Sequence, residues 1–387
     1  MAQLWPILFQ RSSLELAFAH RTFAWGSDAR GVAHVHVVIL GLTQSTHEKP
    51  QKRLFSYDDI RGDPVESQHT ALSPYLIDAA ALANRHLVIP ERSRPLCSVS
   101  KMITGTQPID DGNLIFDTDE RAAFLAVQPQ AAPLLRPFLG TEEYVNGIDR
   151  WILAVQTATP AQLRSMPHVV ERLRAVRAFR AKSKRASTKK IADYPARFNV
   201  ETIPAGPFLA VPEVSSENRE YIPIGWLEPP VIPSNKLRLI ENATLWHFGI
   251  LTSRMHMAWT HIVGGRLESR FQYSVGINYN AFPWPDVTDR QRERIEELAQ
   301  AVLDTRALFP DSTLADLYEA DVMTPELRRA HRALDLAVDR LYRSAAFSGD
   351  RERVEFLFGL YENFTNPLLP APPTPKFRAR RRRSGTS

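Results

Sequence analysis

With 387 residues, 44% of them hydrophobic and 24% charged, the chain can build two or three cored domains and has an ordinary soluble composition. No run approaches the roughly 18 apolar residues of a membrane span, and "WPILF" is too short, and too soon followed by Arg11 and Glu15, for a signal peptide. The single cysteine, Cys97, excludes an internal disulfide framework and a zinc ribbon, and it fits a reducing cytoplasm.

The net charge of +5 is unevenly spread. Residues 161–200 carry eleven Lys or Arg against only Glu171 and Asp193, and Lys376 to Arg383 adds six more cations. The remainder is acidic, so two concentrated basic segments point to a polyanionic partner.

In chain order, residues 4–17 read as a short helix. "FAHRTFAWGSDARGVAHVHVVILGL" (18–42) follows as two strands, with Val35, Val37 and Ile39 alternating along the second. Residues 43–70 are polar and Pro-containing, which reads as a linker. "SPYLIDAAALAN" (73–84) reads as a helix capped by Ser73 with Pro74 at its first position. From 85 to about 290 short strands, turns and helices mix, with turn signals at Gly105, Pro108 and "DDG". Within this stretch lies the basic helix "VVERLRAVRAFRAKSKRAST". Helices follow at 287–308, from Thr324-Pro325, and from Asp350. The tail "NPLLPAPPTPKFRARRRRSGTS" is Pro-rich, then Arg-rich, and reads as disordered.

The residues offer little chemistry of their own. There is no G-x-G-x-x-G and no P-loop. His34 and His36 share a strand face without a third metal ligand in view. Cys97 sits among apolar neighbours with no base beside it. "LEPPVI" lacks the Asn or Asp before, and the aromatic after, its Pro-Pro pair. Neither a catalytic, a cofactor-binding nor a metal-binding set is assigned.

"LWPILF", "FAHRTFAWGSDARGVAHVHVVILG", "MITGTQPIDDGNLIF", "NREYIPIGW", "VIPSNK", "GRLESRFQYS" and "YNAFPWP" resemble, in this order and spacing, MmeI-type (type IIL) restriction-modification proteins and related adenine-specific DNA methyltransferases. The resemblance runs from about residue 4 to 366. It implies an α+β chain: a remnant strand pair of a class I methyltransferase sheet (1–45), a linker (46–72), a mixed α/β target recognition domain (73–286), a C-terminal helical region (287–365) and a disordered basic tail (366–387). It also implies that the S-adenosylmethionine loop and the Asn-Pro-Pro-aromatic motif lie outside this chain. The chain alone is then inactive, as a remnant or as one half of an enzyme whose N-terminal methyltransferase polypeptide is separate. The alternatives are a complete methyltransferase with an unrecognised cofactor site, and a non-enzymatic nucleic-acid-binding protein.

By the same resemblance the partner is double-stranded DNA. Bases are read by Glu268, Arg270 and Gln272, and by Lys236 near the "VIPSN" turn. Chemically, Glu268 accepts from a cytosine amino group, Arg270 forks onto guanine and Gln272 pairs with adenine. Spacings of two on an extended segment project all three to one side. The phosphate backbone is assigned to Arg174, Arg177, Arg180, Lys184, Arg185, Lys189 and Lys190, the first four read as one helical stripe.

Overall fold

In the computed structural model, which describes residues 3–25, 35–267 and 269–366, Leu16 and Ala19 stand three apart, a helical spacing, yet both feed one core from a single strand. A register shift between Leu16 and Phe18 reconciles the two. The expected helix over 4–17 is therefore confined to one turn, Ile7–Arg11. Ser13 then takes φ +49°, and extended backbone begins at Leu14.

The first compact unit comprises residues up to Val88 together with those from Glu355 onward. Its sheet has the order β2-β1-β3-β4, with β1 Leu14–Trp25, β2 Val35–Gln44, β3 Lys52–Ser56 and β4 Val65–His69. The expected strand pair is present as antiparallel β1 and β2, while residues 26–34, His34 included, lie outside the described residues. The stretch expected as a linker instead supplies β3, parallel to β1, and β4, antiparallel to β3. Its polarity belongs to an outward face, where Arg53 Nε and Nη2 fork onto Glu66 at 2.8 and 2.7 Å. Leu54 and Lys52 turn inward, both buried, with the aliphatic stem of Lys52 on the apolar side.

The expected helix at 73–84 is also replaced. Leu76 adopts φ +55°, and the Ala79 amide donates to the Ala71 carbonyl at 3.1 Å, closing a loop. The Leu76 carbonyl, which a helix would use internally, accepts Arg21 Nη2 at 2.6 Å and Nε at 3.1 Å. Glu362 holds the end of this loop, accepting the Ala83 and Asn84 amides at 3.0 and 2.8 Å.

The second unit, Ile89–Val354, carries three sheets. In the first, β7 Leu135–Leu139 lies between β12 Ile232–Pro233 and β8 Trp151–Leu153, and β6 Ile115–Phe116 pairs with β8. In the second, β9 Phe208–Pro212 and β13 Leu237–Glu241 are central, flanked by β11 Gly225–Leu227 and β5 Ile103–Thr104. The third is small: β10 Val214–Ser215, β15 Arg270–Gln272, then β14 Gly265–Leu267. Gly105 allows the first two sheets to meet, since a Cβ there would stand 2.2 Å from the Ser234 carbonyl oxygen.

The helices after residue 287 begin where their caps place them. Thr288 accepts from Gln291 N and Thr324 from Leu327 N, opening Asp289–Ala307 and Pro325–Tyr342, and Asp350–Thr365 follows. Leu334 and Val338 are fully buried, whereas Leu336 is 57% exposed, because two residues turn an α-helix by about 200°. No helix among the described residues is long and apolar enough to cross a membrane.

Candidate nucleic-acid interface

Strand β15 alternates cleanly. Phe271 and Tyr273 point inward and are buried, while Arg270 and Gln272 are exposed on the outer side. Each inward ring has a built seat. Phe271 stacks on His261, ring centroids 4.3 Å apart, and its other face lies 4.0 Å from the Arg266 guanidinium. The Tyr273 hydroxyl meets His256 Nε2 at 2.8 Å. Burial keeps both imidazoles neutral, with pKa values pushed down to about 4 for His261 and about 3 for His256.

The segment expected as one extended run is thus a hairpin, β14 and β15 joined at its tip, pairing Arg266 with Phe271 and Leu267 with Arg270. Glu268, expected to read a base, lies outside the described residues. Arg270 and Gln272 do share one exposed side.

Lys236 is brought to the same edge by a carboxylate that sequence reasoning missed. Gln272 pairs with Val214, and the preceding Glu213 accepts Arg238 Nη2 at 2.6 Å and faces Lys236 Nζ at 3.1 Å. The Glu213 amide donates to the Lys236 carbonyl at 2.9 Å, and the Glu213 carbonyl accepts the Tyr273 amide at 2.7 Å. The Lys236 turn and strand β15 are therefore tied to one residue. Only its position just past the apolar run "FLAVP" hinted at this, and nothing in the sequence joined Glu213 to partners more than twenty residues on.

The basic stretch folds as two helices, Pro167–Ala181 and Ala186–Lys190. Val169, Leu173 and Val176 bury one face against the sheet core that includes Phe138 and Ile152. Arg174 and Arg177 are exposed, Arg177 pairing with Asp193 at 2.9 Å. Lys184 falls after the first helix ends, so it does not continue their stripe; Lys184, Arg185, Lys189 and Lys190 are exposed around the second, shorter helix.

Arg180 corrects the assignment. It occupies the next turn of the buried stripe, completely enclosed. Its guanidinium donates to five carbonyls: Pro108 at 2.8 Å, Ile109 at 2.9 Å, Ile191 at 3.2 Å, Tyr194 at 3.0 Å and Arg197 at 2.9 Å. The three guanidinium nitrogens are committed to these carbonyls, so Arg180 is not a phosphate ligand.

Several other expectations can be placed. Cys97 is half-buried, its thiol pKa raised by that burial. Trp284 is buried, edge-to-face against Tyr279 and Phe282.

The site thus consists of an exposed polar strand on an aromatic base, with Lys236 held at its edge, while the exposed cations lie on the separate helices Pro167–Ala181 and Ala186–Lys190. Three family models match in succession: the MmeI DNA-methyltransferase domain over residues 1–56, the MmeI target recognition domain over 83–286 and the MmeI C-terminal domain over 287–369. The chain belongs to the MmeI family. The DNA methyltransferase A of Bacillus subtilis (strain 168) is 35% identical over 362 residues, which are 94% of this chain and 40% of that relative. The type IIL restriction-modification enzyme MmeI, solved in complex with DNA, is similar with a TM-score of 0.87 and 37% identity, covering 94% of this chain and 48% of that one. The chain thus spans less than half the length of either relative.

Proposed function

We propose that this chain is the sequence-reading part of an S-adenosylmethionine-dependent, adenine-specific DNA methyltransferase of a restriction-modification system, acting in the cytoplasm. The observation that carries the reading is the β15 edge, where Arg270 and Gln272 stand exposed over buried Phe271 and Tyr273, with Lys236 beside them. Guanidinium, carboxamide and ammonium groups are those that fork onto or reach base edges in a major groove. That a solved relative is described in complex with DNA supports the same reading.

In this reading Arg174, Arg177, Lys184, Arg185, Lys189 and Lys190 bind phosphates, and Glu268 completes the base-reading set. The methyl donor and the Asn-Pro-Pro-aromatic motif are held by methyltransferase sequence other than these 387 residues. The test is selection from a randomised duplex pool by the purified chain at ~150 mM salt, with structured RNA as competitor. Enrichment of one short sequence is expected. Equal retention of all duplexes, or displacement by RNA, refutes the reading, and tight binding of radiolabelled S-adenosylmethionine by the chain alone refutes the division of labour.

A further inference from the structure

The tip of the reading hairpin is gripped from two sides. Because β10 runs antiparallel to β15, with Ser215 opposite Phe271, the residues after Ser215 pass beside those before Phe271. This brings the exposed Glu217 to Ser269, whose hydroxyl donates to the Glu217 carboxylate. From the other side, Arg266 Nη1 donates to the Ser269 carbonyl at 3.0 Å while its guanidinium lies over Phe271. The residue immediately before Arg270 is thus fixed by its side chain and its carbonyl together.

Glu217 also sits within electrostatic reach of both Arg266 and Arg270. Its carboxyl is held below the usual carboxylate range, chiefly by the Ser269 hydroxyl and further by the two guanidinium groups. An ionised carboxylate beside an exposed arginine restricts the directions in which that arginine can fork.

We infer that Glu217 is a positioning residue for base reading: through Ser269 and its charge it sets the direction in which Arg270 presents its guanidinium to a base. This rests on the DNA-reading assignment above. A merely structural carboxylate would change stability and leave base preference alone, so preference is the quantity to measure.

The experiment compares the full chain with Glu217→Gln, Glu217→Asp, Ser269→Ala and Arg270→Ala on one randomised duplex pool, alongside thermal melting. Glu217→Gln keeps an acceptor for Ser269 and removes the charge. It should keep total duplex affinity within about twofold, since phosphate contacts supply most of it, and should lose about tenfold discrimination at a single base-pair position. That position should be the one relaxed by Arg270→Ala, and Glu217→Asp should restore part of the preference. Ser269→Ala should relax the same position by a smaller factor. An unchanged preference in folded Glu217→Gln overturns the inference and leaves DNA reading intact. Relaxation at a different position overturns it too, since Glu217 would then touch a base directly. Absence of any preference in the unmodified chain overturns the DNA-reading assignment itself, and the inference with it.

Discussion

Replacing Arg180 separates a structural cation from a phosphate-binding one. Its guanidinium is enclosed and holds five carbonyls, one of them that of Ile109, a β-branched residue at φ +50°. That backbone is costly, by about 1–3 kcal/mol, and persists only where its surroundings impose it. Asp110 supplies a nearby negative charge, and its own carboxylate caps the Leu114 amide at 2.8 Å. Hydrogen bonds from a charged donor are worth about 1.5–3 kcal/mol each, but desolvating the guanidinium offsets much of the sum. Arg180→Ala is therefore expected to cost about 4 kcal/mol, the range seen when a buried charged network is broken. That corresponds to a fall of roughly 10 °C in melting temperature. Arg180→Lys should recover little, because one ammonium cannot reach carbonyls spread from Pro108 to Arg197. Arg174→Ala and Arg177→Ala, both exposed, should shift stability by less than about 0.5 kcal/mol and lower the salt slope of duplex binding by about 0.9 for each phosphate released. Thermal melting paired with salt-dependent binding decides between the roles. An Arg180→Ala chain that melts like the parent while losing duplex affinity would refute the structural assignment.

Three further outcomes follow from the same geometry. Asp335 accepts the Tyr221 hydroxyl at 2.7 Å and the Arg254 amide at 2.6 Å, and burial raises its pKa to about 6. The folded chain therefore holds this proton more tightly than the unfolded one. The stabilisation is complete below about pH 4 and is lost as pH climbs through about 6, a loss on the order of 3 kcal/mol. Asp335→Asn, permanently neutral, should melt above the parent at pH 8, above it by about half as much at pH 5, and near it at pH 4; a gap independent of pH contradicts the shift. Tyr273→Phe removes the partner of His256 Nε2 beneath the hairpin and should cost about 1–2 kcal/mol in melting while leaving base preference unchanged in pool selection. Gly105→Ala forces a Cβ to within 2.2 Å of the Ser234 carbonyl oxygen; the backbone must part there, so chemical denaturation should show a loss of about 1–3 kcal/mol.

What could be read from the sequence was whatever depends on neighbours close in the chain. The alternation of Val35, Val37 and Ile39 marks a strand, and Thr288 and Thr324 mark helix starts, because both signals are local. The spacing of two in "GRLESRFQYS" anticipated that Arg270 and Gln272 share one exposed side. Strands β3 and β4 were hidden because their outward faces are polar, and because β3 pairs with β1, more than thirty residues earlier, while β4 pairs with β3. Arg180 misled because its charge outweighed its position, although Val169, Leu173, Val176 and Arg180 fall four, three and four apart, the spacing of a buried stripe. Glu213 acts on Lys236 and Arg238 through the β9–β13 pairing, and Glu217 on Ser269 through the β10–β15 pairing, and no local pattern encodes either.

The division of labour along β15 has a consequence for how preference can change. The residues that hold the strand in place are Phe271, pressed between His261 and Arg266, and Tyr273, bonded to His256. Between them alternate Arg270 and Gln272, which contribute little to the packed base. Substituting an exposed strand residue typically shifts stability by no more than about 0.5 kcal/mol, whereas exchanging one bidentate base contact shifts discrimination by about 1–3 kcal/mol. If Arg270 and Gln272 read bases as proposed, preference can be rewritten there without endangering the fold that presents them. In the proposed reading, the cations of Ala186–Lys190 and the helix before it would supply an affinity indifferent to that rewriting, since phosphates are the same on every sequence. A surface built this way favours exchange at the outward positions of β15 and fixity at the inward ones. Glu217 breaks that separation: it is outward, yet bonded to the hairpin tip, so a new residue at position 270 is accommodated only if it tolerates a carboxylate beside it.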